Sequence, residues 1–370
     1  MQAYLVSRKF QITWKTLLLP AVGLLAFLLY LYIFNVDIPK MVAIIQSVDL
    51  TIYSLAVIAL ILETFLFTLS WRCLLNFLSV KLTVVKSFLY VWYGIFMDIV
   101  IPAESISGEI SRIYLITREQ NGTSGKVVAS LVAHRLMGTG MTIASLLTGM
   151  IVLLLQKQIG GIVLNLTLFL IIVTTIFLVL LILLCIKERW TLQIIDIVIR
   201  LVRYISRGRW KLDNVRRKIV KAAETFHNSM KEFGHAPKTL ITSLCLSFFS
   251  WFCSVAVIYL VFLSMGFSIR WSVIIVTSSI IVAIRSIPLG VPFEAGLPEL
   301  TMPTLYAALL IEIPVDIRIT ICATATILIR ILTMWLRFFI GFVVLQWLGI
   351  KTVTTSSFNS EKLMSETKKT

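Results

Sequence analysis

The stretch Asp98-Ile-Val-Ile-Pro102-Ala-Glu104-Ser-Ile-Ser-Gly108-Glu109-Ile-Ser-Arg112-Ile-Tyr-Leu-Ile-Thr-Arg118 decides the fold, because it sets a helix breaker, carboxylates and arginines between long apolar runs. A second interruption at 285–299 carries Arg285, Pro288, Gly290, Pro292, Glu294, Gly296, Pro298 and Glu299. Broken backbone and charge at membrane depth are costly unless protein or a wet cavity surrounds them. One such break in each half of a chain is the pattern of a transport site between repeats.

Working outward, 58% of the 370 residues are hydrophobic and only 14% are charged. The mean hydropathy is +0.95. That excludes an ordinary soluble domain and indicates one polytopic helical bundle. The formal net charge of +16 fits inward-facing loops and anionic headgroups. No nucleic-acid-binding signature accompanies it, so nucleic acid is not an expected partner. The cysteines at 73, 185, 245, 253 and 322 have neither metal nor disulfide spacing and read as small apolar fillers.

Six segments are long and apolar enough to cross a bilayer: 17–34, 50–71, 127–155, 162–186, 240–263 and 317–348. Between 187 and 238 thirteen Lys and Arg stand against five Asp and Glu, a net of +8. This block belongs inside by the positive-inside rule. Both ends of 86–126 then face the same inner side, so that segment enters and returns. The same parity makes 271–312 a second hairpin entering from the opposite face. Twenty-six basic residues then lie in inner segments and four (Lys40, Lys157, Arg270 and Arg318) outside. The remaining four are Arg135, Arg285, Arg330 and Arg337 at membrane depth.

The expected fold is therefore an all-α polytopic membrane protein with about six full spans, two re-entrant helical hairpins and an inverted-topology repeat. One transmembrane domain covers 1–350, with halves at about 51–186 and 238–350. An amphipathic inner loop fills 187–237, and a polar inner tail fills 351–370. Both termini are expected on the cytoplasmic side of the cell membrane. Opposed hairpins would bring 102–109 and 288–299 together near the midplane.

The loop reads as two amphipathic helices. One stripe is Trp190, Ile194, Ile197, Val198, Leu201 and Ile205; the other is Val215, Ile219, Ala223, Phe226, Met230 and Phe233. Basic, Trp-bearing helices of this kind suit an anionic leaflet surface. A helical pair packed on the bundle is the alternative. His227 and His235 are expected to be solvated.

No nucleotide loop, zinc motif or paired C-x-x-C occurs, so no cofactor, metal or catalytic residue is expected. The candidate binding set is Glu104, Glu109, Arg112, Arg135, Arg285, Glu294, Glu299 and Arg330. Arginine forks and helix N-termini suit phosphate, with Arg112, Arg135 and Arg330 as its expected holders. Pro102, Gly108, Pro288, Gly290, Pro292 and Gly296 supply the turns. Mutual ion pairs that only pin the hairpins are the plain alternative. Glu63, inside a span, reads equally as a structural partner or a transport residue. Arg337 is expected to snorkel to the inner interface, and Gly138-Thr-Gly140 to mark close helix packing.

Pro102…Gly108-Glu109-x-x-Arg112, then Ala133-His134-Arg135, then Pro292-x-x-x-Gly296-x-x-Glu299 resemble the flippase-like transmembrane domain of lysylphosphatidylglycerol synthases. The resemblance covers about residues 15–350. It implies a stand-alone bundle, without the aminoacyl-transferase domain, that moves or presents anionic or modified lipids. By motif Gly108, Glu109, Arg112, Arg135, Gly296 and Glu299 carry over. His134 departs from the glutamate common there, which bears on headgroup choice and proton coupling. The expected partners are membrane lipids, either anionic phospholipid or lipid-linked saccharide. A homo-oligomer or a lipid-modifying enzyme is left open as a further partner. A transporter is the first reading. A transferase acting on lipid-linked sugars, with Glu109 or Glu299 as base, and a scaffold for a lipid-modifying enzyme are the alternatives.

Overall fold

The computed structural model describes residues 37–348 apart from 102–105, 156–160, 206–212 and 287–296, together with Leu28 and Tyr32. The described residues form helices without strands. In order these are α1 (Ile38–Gln46), α2 (Leu50–Phe77), α3 (Val84–Val100), α4 (Ile106–Glu119), α5 (Ser124–Leu155) and α6 (Gly161–Ile186). Then come α7 (Glu188–Ile205), α8 (Asp213–Gly234), α9 (Pro237–Ser264), α10 (Trp271–Ser286) and α11 (Leu297–Leu309). The last, α12, begins as Val315–Arg330, passes through a π-helical segment at Ile331–Leu336 and runs on to Leu348.

Five of these helices (α2, α5, α6, α9 and α12) are long and apolar enough to cross a membrane, and α10 supplies a shorter apolar helix. The chain is a polytopic membrane protein. Of the expected first span at 17–34 only Leu28 and Tyr32 are described, and the tail lies outside the described residues. Large apolar side chains on α6 such as Ile162, Phe169, Ile172 and Ile176 are more than half exposed, as lipid-facing positions should be.

Lipid offers no hydrophobic drive for helices to associate, so close packing and interhelical hydrogen bonds must hold the bundle. Helices α2 and α9 pack antiparallel along their length. Asp49 N donates to Ser264 O at one end, and Ser250 Oγ to Glu63 O in the middle. Ser70 Oγ meets Ser243 Oγ and Ser247 Oγ at 2.8 and 2.7 Å toward the other end.

Helices α3 and α4 form a hairpin whose base is clipped by Lys86 and Glu119 at 3.1 Å, with Tyr90 Oη donating to the same carboxylate. Arg270 and Glu312 make the corresponding ion pair at the base of α10 and α11. The long helices α5 and α12 also seat α10 and α3 respectively. Gly149 of α5 lies against Val276 of α10, where Ser145 Oγ meets Ser279 Oγ at 2.6 Å. Gly341 of α12 lies against Phe96 and the Trp92 carbonyl of α3.

Between the spans, α8 folds back onto the bundle. Ala223, Phe226 and Phe233 are buried there, and Phe233 stacks on Phe77. The Ala223, Phe226 and Phe233 part of its expected stripe is therefore packed on protein, while Val215 and Ile219 stay exposed. His227 is likewise buried and not solvated: its Nδ1 sits 3.0 Å from the Cys185 carbonyl at the end of α6. A helix C-terminus leaves such carbonyls without intrahelical donors, so a ring nitrogen is drawn to them.

Candidate functional site

A carboxylate of α3 and a pair of glycines give α4 its position. Asp98, near the end of α3, accepts hydrogen bonds on Oδ1 from Gly108 N at 2.6 Å and Ser107 Oγ at 2.8 Å. The carboxylate thus supplies, from a neighbouring helix, the acceptor that the first turn of α4 requires. A Cβ at Gly108 would overlap both the Asp98 carboxylate and the Gly94 carbonyl oxygen. Two glycines at the crossing therefore let the arms touch.

That contact delivers Glu109 and Arg112 to a cavity of about 630 Å³ among α2, α3, α4, α5, α6, α9, α10 and α12. Its lining carries Glu63, Asp98, Glu109, Arg112, His134, Arg135 and Arg337, together with Ser247 and Ser250. Three carboxylates accompany three guanidinium groups, so these groups balance formally and His134 is added to them. Apolar residues line it as well, among them Ile106, Met141, Phe177, Leu181 and Val282.

Each arginine is held differently. Arg135 Nε lies 3.2 Å from Glu109 Oε1, and the two side chains are 29% and 21% exposed. Arg337 Nη2 donates to Glu63 Oε2 at 2.5 Å. The arginine expected to snorkel is thus turned inward, because Glu63 on α2 offers an anion at its level. Arg112 is buried beneath them. Its guanidinium lies 5.0 Å from the Trp71 ring and 5.9 Å from Phe67, and its Nη1 has no hydrogen-bond partner. A buried cation resting on ring faces and lacking a full set of acceptors is poised for an added anion. His134 sits edge-on to Phe67, with Nε2 3.4 Å from Ser247 Oγ.

Of the sequence-predicted set, Glu109, Arg112 and Arg135 line this cavity together. Glu299 and Arg330 are not among its lining residues. They meet each other at 2.6 Å between α11 and α12, both buried, and Arg330 Nη2 also donates to Met334 Sδ at 2.9 Å. Glu104, Glu294, Pro102, Pro288, Gly290, Pro292 and Gly296 lie outside the described residues, as does the Arg285 side chain. No group of three or more His, Cys, Asp or Glu set to hold a metal occurs among the described residues.

Asp98 and the α9 serines were absent from the sequence-based set, although an Asp in an apolar run four residues before Pro102 was a visible signal. Gly138 and Gly140 do not mark close packing, since a Cβ at either meets nothing within 4 Å. Gly138 instead lines the cavity, where α5 faces open space.

Comparison with known proteins places the chain. It is 20% identical over 335 residues to a UPF0104 membrane protein of Pyrococcus horikoshii, an alignment covering 88% of this chain and 95% of that protein. No solved structure matches it. The family profile described as the lysylphosphatidylglycerol synthase TM region matches residues 17–341, and the chain belongs to that family of membrane proteins.

Proposed function

We propose that the protein is a flippase-like transporter that moves or presents the phosphate-bearing headgroup of a membrane lipid, an anionic phospholipid or a lipid-linked saccharide. The observation that carries this reading is the mixed lining of the cavity. It gathers Arg112, Arg135, Arg337 and His134 together with Phe177, Leu181, Met141 and Val282. A lipid carries the same two chemistries: its headgroup suits the guanidinium groups and its acyl chain the apolar residues.

In this mechanism Arg112 supplies the fixed cation and Arg135 the exchangeable one. An incoming phosphate competes with Glu109 for Arg135, so the empty site stays neutral and the loaded site gains a second set of donors. Asp98 keeps the α4 N-terminus capped, which leaves phosphate binding to the guanidinium groups. Glu63 orients Arg337 at the cavity wall. Glu299 and Arg330 pin the second hairpin to α12.

The recurring contacts between the halves support an inverted repeat with two re-entrant hairpins: a clipped hairpin base in each half, and a glycine of each long helix against the opposite hairpin. Positive-inside counting then puts α7, α8 and both termini on the cytoplasmic side of the cell membrane.

The test is reconstitution into liposomes with fluorescent phospholipids, comparing wild type with Arg112→Gln and Glu109→Gln. Loss of one charge-assisted contact is expected to slow translocation by about tenfold or more. Wild-type rates in both variants, at equal protein incorporation, would defeat the proposal.

A further inference from the structure

The two helices between the spans treat their apolar residues differently. Helix α8 turns Ala223, Phe226 and Phe233 into the bundle. Helix α7 has three faces. Leu192, Ile195 and Ile199 lie toward its packed side, with Ile199 buried. Trp190, Ile194, Ile197, Val198 and Leu201 recur at helical spacing on a second face and are 46–59% exposed. Arg189, Gln193 and Arg200 form an exposed flank beside that stripe.

Continuity and charge identify what covers the stripe. Helix α7 begins two residues after α6, a membrane-crossing candidate, and Thr191 Oγ1 donates to the Leu184 carbonyl across the junction. The exposed apolar face therefore starts where the bilayer's hydrocarbon gives way to headgroups. On the neighbouring α8, Arg216, Arg217, Lys218 and Lys221 are exposed, and Arg216 reaches back to Asp196 of α7 at 2.9 Å. A basic flank beside an apolar stripe complements a surface of anionic headgroups over acyl chains.

We infer that α7 is an interfacial helix whose Trp190–Leu201 stripe inserts into the adjoining leaflet and whose Arg189 and Arg200 flank selects anionic lipid. This goes beyond the transport reading and does not need it, because the readout is insertion and not translocation.

The experiment uses the full chain as single copies in nanodiscs of phosphatidylcholine with or without phosphatidylglycerol. Cys73, Cys245 and Cys253 are replaced by Ala, leaving the buried Cys185 and Cys322. An environment-sensitive fluorophore is attached at Ile197→Cys or, as the solvent reference, at Asn228→Cys on the exposed side of α8. The expected result is a blue-shifted signal at 197 that is stronger with phosphatidylglycerol, weakened by salt, and absent at 228. Adding Arg189→Gln and Arg200→Gln should abolish the anionic preference and leave the phosphatidylcholine signal in place. A water-like signal at 197 in both bilayers would overturn insertion. Equal signals in both would overturn the anionic selectivity. Burial at 197 that appears only when several copies share one bilayer would overturn the inference in favour of self-association.

Discussion

Two carboxylate–arginine pairs occupy comparable places in the helix order and sit in opposite environments. Glu109 and Glu299 each lie in the first turn of a hairpin's second arm, and Arg135 and Arg330 each lie in the long helix that follows. The first pair is 3.2 Å apart with side chains 21% and 29% exposed, on the wall of the cavity. The second is 2.6 Å apart with side chains 9% and 7% exposed. Solvation separates their roles. Ions beside a cavity can part and take another partner, whereas a sealed ion that loses its partner cannot turn to solvent instead.

The largest expected effect follows from that contrast. Glu299→Leu or Arg330→Met alone should cost about 3–5 kcal/mol of stability, since each removes one side of a buried ion pair. The double variant should recover most of the loss, because a packed apolar pair of similar volume often replaces a buried ion pair at little cost. Glu109→Leu or Arg135→Met should cost about 1 kcal/mol or less. Thermal unfolding of the purified protein in detergent measures all five. Equal losses for the single variants at 109 and 299 would break the distinction between the pairs.

The sequence marked the all-helical membrane bundle and the charges that interrupt its apolar runs, because carboxylates and arginines inside such runs have few structural uses. It did not carry the pairing. Glu63 and Arg337 meet across 274 positions, and which helix faces touch depends on packing register, which hydropathy does not encode. The same limit explains Gly138: small residues in a span indicate either close packing or open space, and only the neighbouring helix decides between them. Asp98 escaped because a carboxylate just before a break resembles an ordinary helix end. His227 escaped because its partner is a backbone carbonyl, and backbone acceptors leave no mark on side-chain composition. Amphipathic period marked α8 as a helix with one apolar face, but whether protein or lipid covers that face is a tertiary fact.

The intermediate effect sharpens the comparison at the hairpin tip. Gly108→Ala should destabilise by about 1–3 kcal/mol, the range for overpacking a close contact. The added methyl overlaps the Asp98 carboxylate and the Gly94 carbonyl, and the latter is backbone that cannot turn aside. The same substitution displaces Asp98 from Gly108 N, so α4 loses its cap and Glu109 and Arg112 shift together. Translocation should therefore fall further than the loss of stability alone accounts for. Wild-type transport and unfolding temperature in Gly108→Ala would show that the arms do not need this approach.

The smallest effect runs in the other direction. At Gly138 nothing lies within 4 Å of an added Cβ, so Gly138→Ala removes a flexible residue from a helix interior without a clash. Helix propensity then favours the variant by about 0.5–1 kcal/mol. Eleven residues further along the same helix, Gly149 meets the Val276 methyl, and a β-branched side chain has few rotamers with which to withdraw. Gly149→Ala should therefore lower the unfolding temperature while Gly138→Ala raises it slightly. The opposite signs separate a helix face that borders the cavity from one that seats the opposite hairpin. A destabilised Gly138→Ala would mean that α5 meets a neighbour at 138, and the polar cavity would then have to close there.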